Sequence, residues 1–214
     1  MKTNQLFKST LALTAGLVLS ATVSQAALYR VTIDTSSLSS GVNAPNAPFL
    51  LDFQLNDGNL LNNNTATIGN FTFTGGGAPF GAANLFGGAS GSLANTVTLT
   101  DSSAFNEFYQ SFATGTQIAF DLNLTSNVAA GLTPDSFSFS ILEGDLDNIT
   151  TTGIGNTLLQ FDIDSTNPNA GDFVVSSGTG DYSGVNVTVI PEPSSALCGL
   201  VALGLGMLRR RRVS

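Results

Sequence analysis

Between Ala27 and Ile190, apolar and polar residues alternate with a period of two, and no other feature restricts the fold of this chain as strongly. The pattern recurs in YRVTID (Tyr29, Val31, Ile33), FLLDFQL (Phe49, Leu51, Phe53, Leu55), TIGNFTFT (Phe71, Phe73), NTVTLT (Val97, Leu99), TQIAFDLNLT (Ile118, Phe120, Leu122, Leu124), DSFSFSIL (Phe137, Phe139, Ile141), TLLQFDID (Leu159, Phe161, Ile163), DFVVSS and GVNVTVI (Val185, Val187, Val189). Successive side chains on a strand point to opposite faces, so each segment buries one face and wets the other. About nine such strands predict an all-β fold, an antiparallel β-sandwich of jelly-roll-like topology. With 15 phenylalanines and no tryptophan, its interior is expected to be Phe-rich. Exposed aromatics suited to sugar stacking are not evident in the pattern.

The punctuation fits the same reading. NDGN at Asn56 to Asn59 is a tight-turn sequence in which Gly58 tolerates positive φ. Thr74 to Gly91 reads as a long Gly-rich loop. Helix competes in DSSAFNEFYQSF, where Asp101 or Ser102 is placed to cap a turn carrying Phe105, Phe108, Tyr109 and Phe112 along one side.

Composition narrows the chemistry. Between Ala27 and Ile190 stand 14 acidic residues and one base, Arg30, a net charge of −13. Such a body repels nucleic acid and anionic membranes and attracts cations. Without histidine there is no Ser-His or Cys-His system, and without lysine in the body there is no Ser-Lys dyad. The single Cys198 permits neither an internal disulfide nor a thiol metal cluster. Carboxylate pairs are left, and two of them suffice for glycoside hydrolysis, although no Trp or Arg is placed to hold a sugar. No enzyme and no resident cofactor is expected. Calcium is the better chemical candidate: Glu143, Asp145 and Asp147 stand at alternate positions with Asn148 following, and Asp162 and Asp164 repeat the spacing. In an extended chain such positions face one way, and clustered carboxylate and amide oxygens suit a hard cation. A solvated acidic face that keeps the protein soluble is the competing reading.

Both ends carry targeting patterns. At the start, Lys2 and Lys8 precede an apolar run from Leu11 to about Val23, followed by Ser24 and Ala26 at cleavage spacing. That is the layout of a secretory signal peptide over 1–26. At the other end, Pro191-Glu192-Pro193 keeps the backbone extended, Ala196 to Leu208 is free of charge, and Arg209, Arg210, Arg211 and Arg212 form a cytoplasmic stop. The apolar run is short for a permanent anchor.

The order Pro191-Glu192-Pro193-Ser194, short apolar helix, terminal arginines resembles the PEP-CTERM sorting signal of bacterial secreted proteins, over about the last 25 residues. The resemblance implies transit through the Sec translocon, transient insertion in the inner membrane and recognition by an exosortase that cleaves near Pro-Glu-Pro. Segments such as ALYRVTIDTSSL, FLLDFQLNDG, ATIGNFTFTGGG, LTDSSAFNEFYQSF and TPDSFSFSIL resemble an uncharacterised family of PEP-CTERM cargo proteins, which implies no activity.

Three regions are therefore expected: the signal helix (1–26), the β-sandwich (27–189) and the sorting signal with its hydrophobic helix (190–214). The expected role is that of a non-enzymatic protein of the cell surface or extracellular matrix, associated with exopolysaccharide or biofilm. The alternative is a calcium-dependent carbohydrate-binding or adhesive module.

Overall fold

The computed structural model describes residues 26–39, 46–127, 133–163 and 173–191. The expected signal helix and C-terminal helix, Glu192, Pro193, the arginine stop, Cys198 and Asp164 lie outside the described residues. Among those described, no helix is long and apolar enough to cross a membrane.

The fold is all-β. Strands β1 (Ala26–Asp34), β3 (Thr65–Thr74), β6 (Gly88–Gly91), β7 (Val97–Thr100), β9 (Gln117–Thr125) and β13 (Asn186–Pro191) form one sheet in the order β13-β1-β9-β3-β7-β6. The second sheet has the order β12-β11-β10-β2-β8-β4, built from β2 (Phe49–Asn56), β4 (Ala78–Pro79), β8 (Phe105–Ala113), β10 (Asp135–Leu142), β11 (Leu159–Ile163) and β12 (Phe173–Val175). A seventh strand, β5 (Asn84–Phe86), also pairs with β8. Pairing throughout the described strands is antiparallel.

The inward residues of both sheets form one core. Phe53 of β2 sits in its middle, edge-on to Phe120 of the other sheet with ring centroids 5.3 Å apart, and stacked on Phe139 at 5.1 Å. Burying rings of this size in edge-to-face and offset contacts is the main source of stability in such an interior. In β3 the inward set changes phase, from Ala66 and Ile68 to Phe71 and Phe73. A bulge between Gly69 and Thr72, with Asn70 at φ 51°, absorbs the extra residue and keeps all four side chains on the core side.

Three expectations need correction. The segment around Phe105 to Phe112 is strand β8, not helix. Its buried positions are Asn106, Phe108, Gln110 and Phe112, and the two inward amides hide the alternation. They also explain the second correction: the Gly-rich stretch from Thr74 to Gly91 contains β4, β5 and β6. Asn106 accepts the N–H of Gly88 at 2.7 Å, while Gln110 donates to the Gly81 carbonyl at 2.8 Å and accepts the N–H of Leu93 at 2.9 Å. Buried amides thus replace apolar contacts in fixing a segment that has few side chains to bury. Third, Gly58 in the Asn56 to Asn59 turn does not adopt a positive φ, and the chain there passes from β2 to a strand of the other sheet. Gly58 is needed for close approach: a Cβ there would lie 2.1 Å from the Pro134 carbonyl oxygen.

At the boundaries, β1 begins at Ala26 and β13 runs to Pro191, which pairs with Tyr29. The first proline of the Pro-Glu-Pro motif therefore ends an edge strand.

Candidate functional site

Each sheet turns one face outward, and the two faces differ. On the six-stranded sheet the outer face is threonine-rich and its central acid is matched by a cation. Arg30 of β1 donates to Asp121 of β9 at 2.7 Å and to the Asn70 carbonyl, while Asn70 donates to the other Asp121 oxygen at 2.6 Å. Partial burial alone would raise the Asp121 pKa, but the hydrogen bonds from Asn70 and Arg30 and the guanidinium charge hold it below the usual carboxylate range.

On the seven-stranded sheet, cross-strand partners share a face, so the registers place Gln160, Ser138, Gln54, Glu107 and Phe86 in one row across β11, β10, β2, β8 and β5. The neighbouring row holds Ser140, Asp52, Tyr109 and Asn84. Gln54 donates to Asp52 at 2.9 Å and to Glu107 at 3.1 Å, using both amide hydrogens to hold two carboxylates that have no cationic partner among the described residues. Asp52 is only 2% exposed and its Oδ1 has no hydrogen-bond partner. Burial, with the adjacent Glu107 charge, pushes its pKa up to about 7, and burial also raises that of Glu107.

Beside these acids the Phe86 and Tyr109 rings stack with centroids 6.0 Å apart. Phe86 and Phe105 are each 47% exposed. Exposed aromatics, not evident in the sequence pattern, are therefore present on this face. Sequence reasoning missed the face because Tyr109 and Glu107 lie on the strand taken for helix, and Phe86 lies in the stretch taken for loop.

The sequence-derived calcium residues fall in two places. Glu143 to Asp147 is not extended: the Glu143 N–H reaches the Asp147 carbonyl at 2.8 Å, closing a turn after β10. There Glu143 accepts hydrogen bonds from Tyr182 and from Asn46, and a pocket of about 320 Å³ is lined by Asn46, Pro48, Glu143, Gly144 and Asp145. Burial and the Glu143 contact push the Tyr182 pKa up to about 12. Asp145 and Asp147 point to solvent, and Asn148 donates to the Gly155 carbonyl at 2.9 Å. Asp162 sits opposite Ser136 near the other end of β10, about 20 Å along the strand from Glu143. Among the described residues, no three acidic side chains converge to hold a metal ion.

No protein-family model, curated protein or solved structure matches the chain.

Proposed function

We propose that this is an exported, non-enzymatic protein of the cell surface or extracellular matrix whose β-sandwich domain of jelly-roll type binds polysaccharide on the outer face of its seven-stranded sheet. Export and sorting rest on the signal-peptide layout of 1–26 and on the tail from Pro191 to Ser214, with its resemblance to exosortase substrates. The binding role rests on one observation: the Phe86–Tyr109 stack stands beside Gln54 and Glu107 on an otherwise Ser- and Gln-rich sheet face. Rings supply apolar area for a sugar face, and carboxylate and amide oxygens accept its hydroxyl hydrogens.

Binding is favoured over hydrolysis by the same geometry. The Gln54 amide occupies the space between the two carboxylates, where a glycosidic oxygen or a water would have to sit. Asp52, at 2% exposed, is too deep to reach a substrate.

Affinity electrophoresis through gels containing the producing cell's own exopolysaccharide tests the binding role. Wild type is expected to be retarded, and Phe86→Ala and Tyr109→Ala to lose about tenfold or more in affinity, as expected for a lost stacking contact worth 1–2 kcal/mol. Equal retardation of all three would refute it. Sorting is tested by mass spectrometry of the terminal peptides from native cells: the reading requires a start near Ala27 and an end near Pro191 to Ser194. Retention of the arginine tail in the inner-membrane fraction contradicts it.

A further inference from the structure

At one end of the molecule three of the chain's crossings between the sheets lie together: over residues 57–64 from β2 to β3, over 101–104 from β7 to β8, and from β9 to β10. Asp101 and Asp135, each 1% exposed, tie the crossings together. Asp101 Oδ2 accepts the main-chain N–H groups of Asn63 at 3.0 Å and Asn64 at 2.7 Å. Asp135 accepts the Gly58 N–H at 2.9 Å on one oxygen and the Asn64 side-chain amide at 2.6 Å on the other.

One donor here is over-subscribed, and one carboxylate oxygen has none. The Asn64 NH₂ has two hydrogens but faces three acceptors: Asp135 Oδ2, the Asn63 side-chain oxygen and the Asn127 carbonyl, the latter two at 2.9 Å. Asp101 Oδ1 is buried without any hydrogen-bond partner. Asp57 at the rim adds a third negative charge that acts on Asp135. The one cationic side chain among the described residues, Arg30, is engaged with Asp121 on an outer face. Two buried carboxylates with no counter-charge are strongly unfavourable in a protein interior.

The geometry points to a divalent-cation site at this crossover end, taking calcium, with Asp101 Oδ1 and the Asp135 carboxylate as charged ligands and the amide and main-chain oxygens around Asn64 completing the shell. The donor set is all oxygen, which suits a hard cation of six to eight ligands. Only two of its ligands carry charge, which places it with weak extracellular sites of roughly 10⁻⁴ to 10⁻³ M. The ion fastens three sheet-to-sheet crossings, so it stabilises the folded chain. This site is separate from the turn at Glu143 and does not depend on the polysaccharide reading.

The test is thermal unfolding of the chelator-treated full chain with and without 10 mM calcium chloride. Wild type is expected to gain roughly 3–10 °C. Asp101→Asn, which keeps the shape but removes the charged free oxygen, is expected to lose that response, and Asp145→Asn to keep it. Should Asp101→Asn fail to fold, Asp135→Asn serves in its place, and equilibrium dialysis of wild type is expected to show one calcium per chain. Absence of a calcium response in wild type, binding of less than one ion, or an unchanged response in the folded Asp101 or Asp135 variant overturns the proposal. A shared proton in place of the ion predicts the first of these outcomes.

Discussion

Asp121 and Asp52 hold comparable positions, each in the middle of a central strand and directed away from the core, one in each sheet. Asp121 meets a guanidinium and an amide; Asp52 meets an amide, a second carboxylate and no cation. The first is held ionised and the second resists ionisation. The difference shows that the body's one arginine is placed to neutralise the central acid of only one face. The other face retains uncompensated acceptors beside exposed rings, an arrangement that lowers stability and suits recognition.

The largest expected effect lies where the two faces share a core. Phe53→Ala removes the ring that touches both sheets and is expected to lower stability by about 3–5 kcal/mol in urea unfolding. A loss under 1 kcal/mol would mean that the sheets do not depend on this contact.

Next is Asp52→Asn, expected to raise stability, by up to about 4 kcal/mol at pH 8. The folded pKa of Asp52 lies above its unfolded value of about 3.9, so the folded state binds the extra proton between these limits. The Asp52 contribution is therefore most favourable at acid pH, declines as pH rises through the interval to about 7, and is constant above it. The difference between wild type and Asp52→Asn should follow that course across pH 4 to 8. A variant less stable than wild type at pH 8 would show that Asp52 is paired in solution.

The smallest effect is expected on the matched face. Arg30→Ala should cost about 0.5–1 kcal/mol, since a partly exposed pair is screened by solvent. The Asp121 contribution has the opposite pH course: it is present above the unfolded value and lost as pH falls through the lowered folded pKa. Similar pH profiles for Arg30→Ala and Asp52→Asn would erase the contrast.

Much of the fold is legible in the sequence because period-two alternation reports directly which side chains face the core. Phe49, Leu51, Phe53 and Leu55 are all buried as their spacing requires. The pattern fails where an inward position is polar, as at Asn106 and Gln110, because their partners are main-chain groups distant in sequence that composition does not reveal. The face carrying Phe86 and Tyr109 was illegible for a related reason: it exists only through the registers of β2, β5 and β8, and two of these strands were hidden. The acidic spacing from Glu143 to Asp147 misled in the opposite sense, since alternate positions share a face only if the chain stays extended, and here it turns.

The most direct test of the asymmetry is NMR titration of the isotopically labelled protein with oligosaccharides cut from the producing cell's exopolysaccharide. The side-chain amide of Gln54 and the rings of Phe86 and Tyr109 are expected to shift together and saturate, while Thr32, Asn123 and Thr188 on the opposite face stay unchanged. Shifts centred on Thr32, Asn123 and Thr188, or none on either face, would contradict the account.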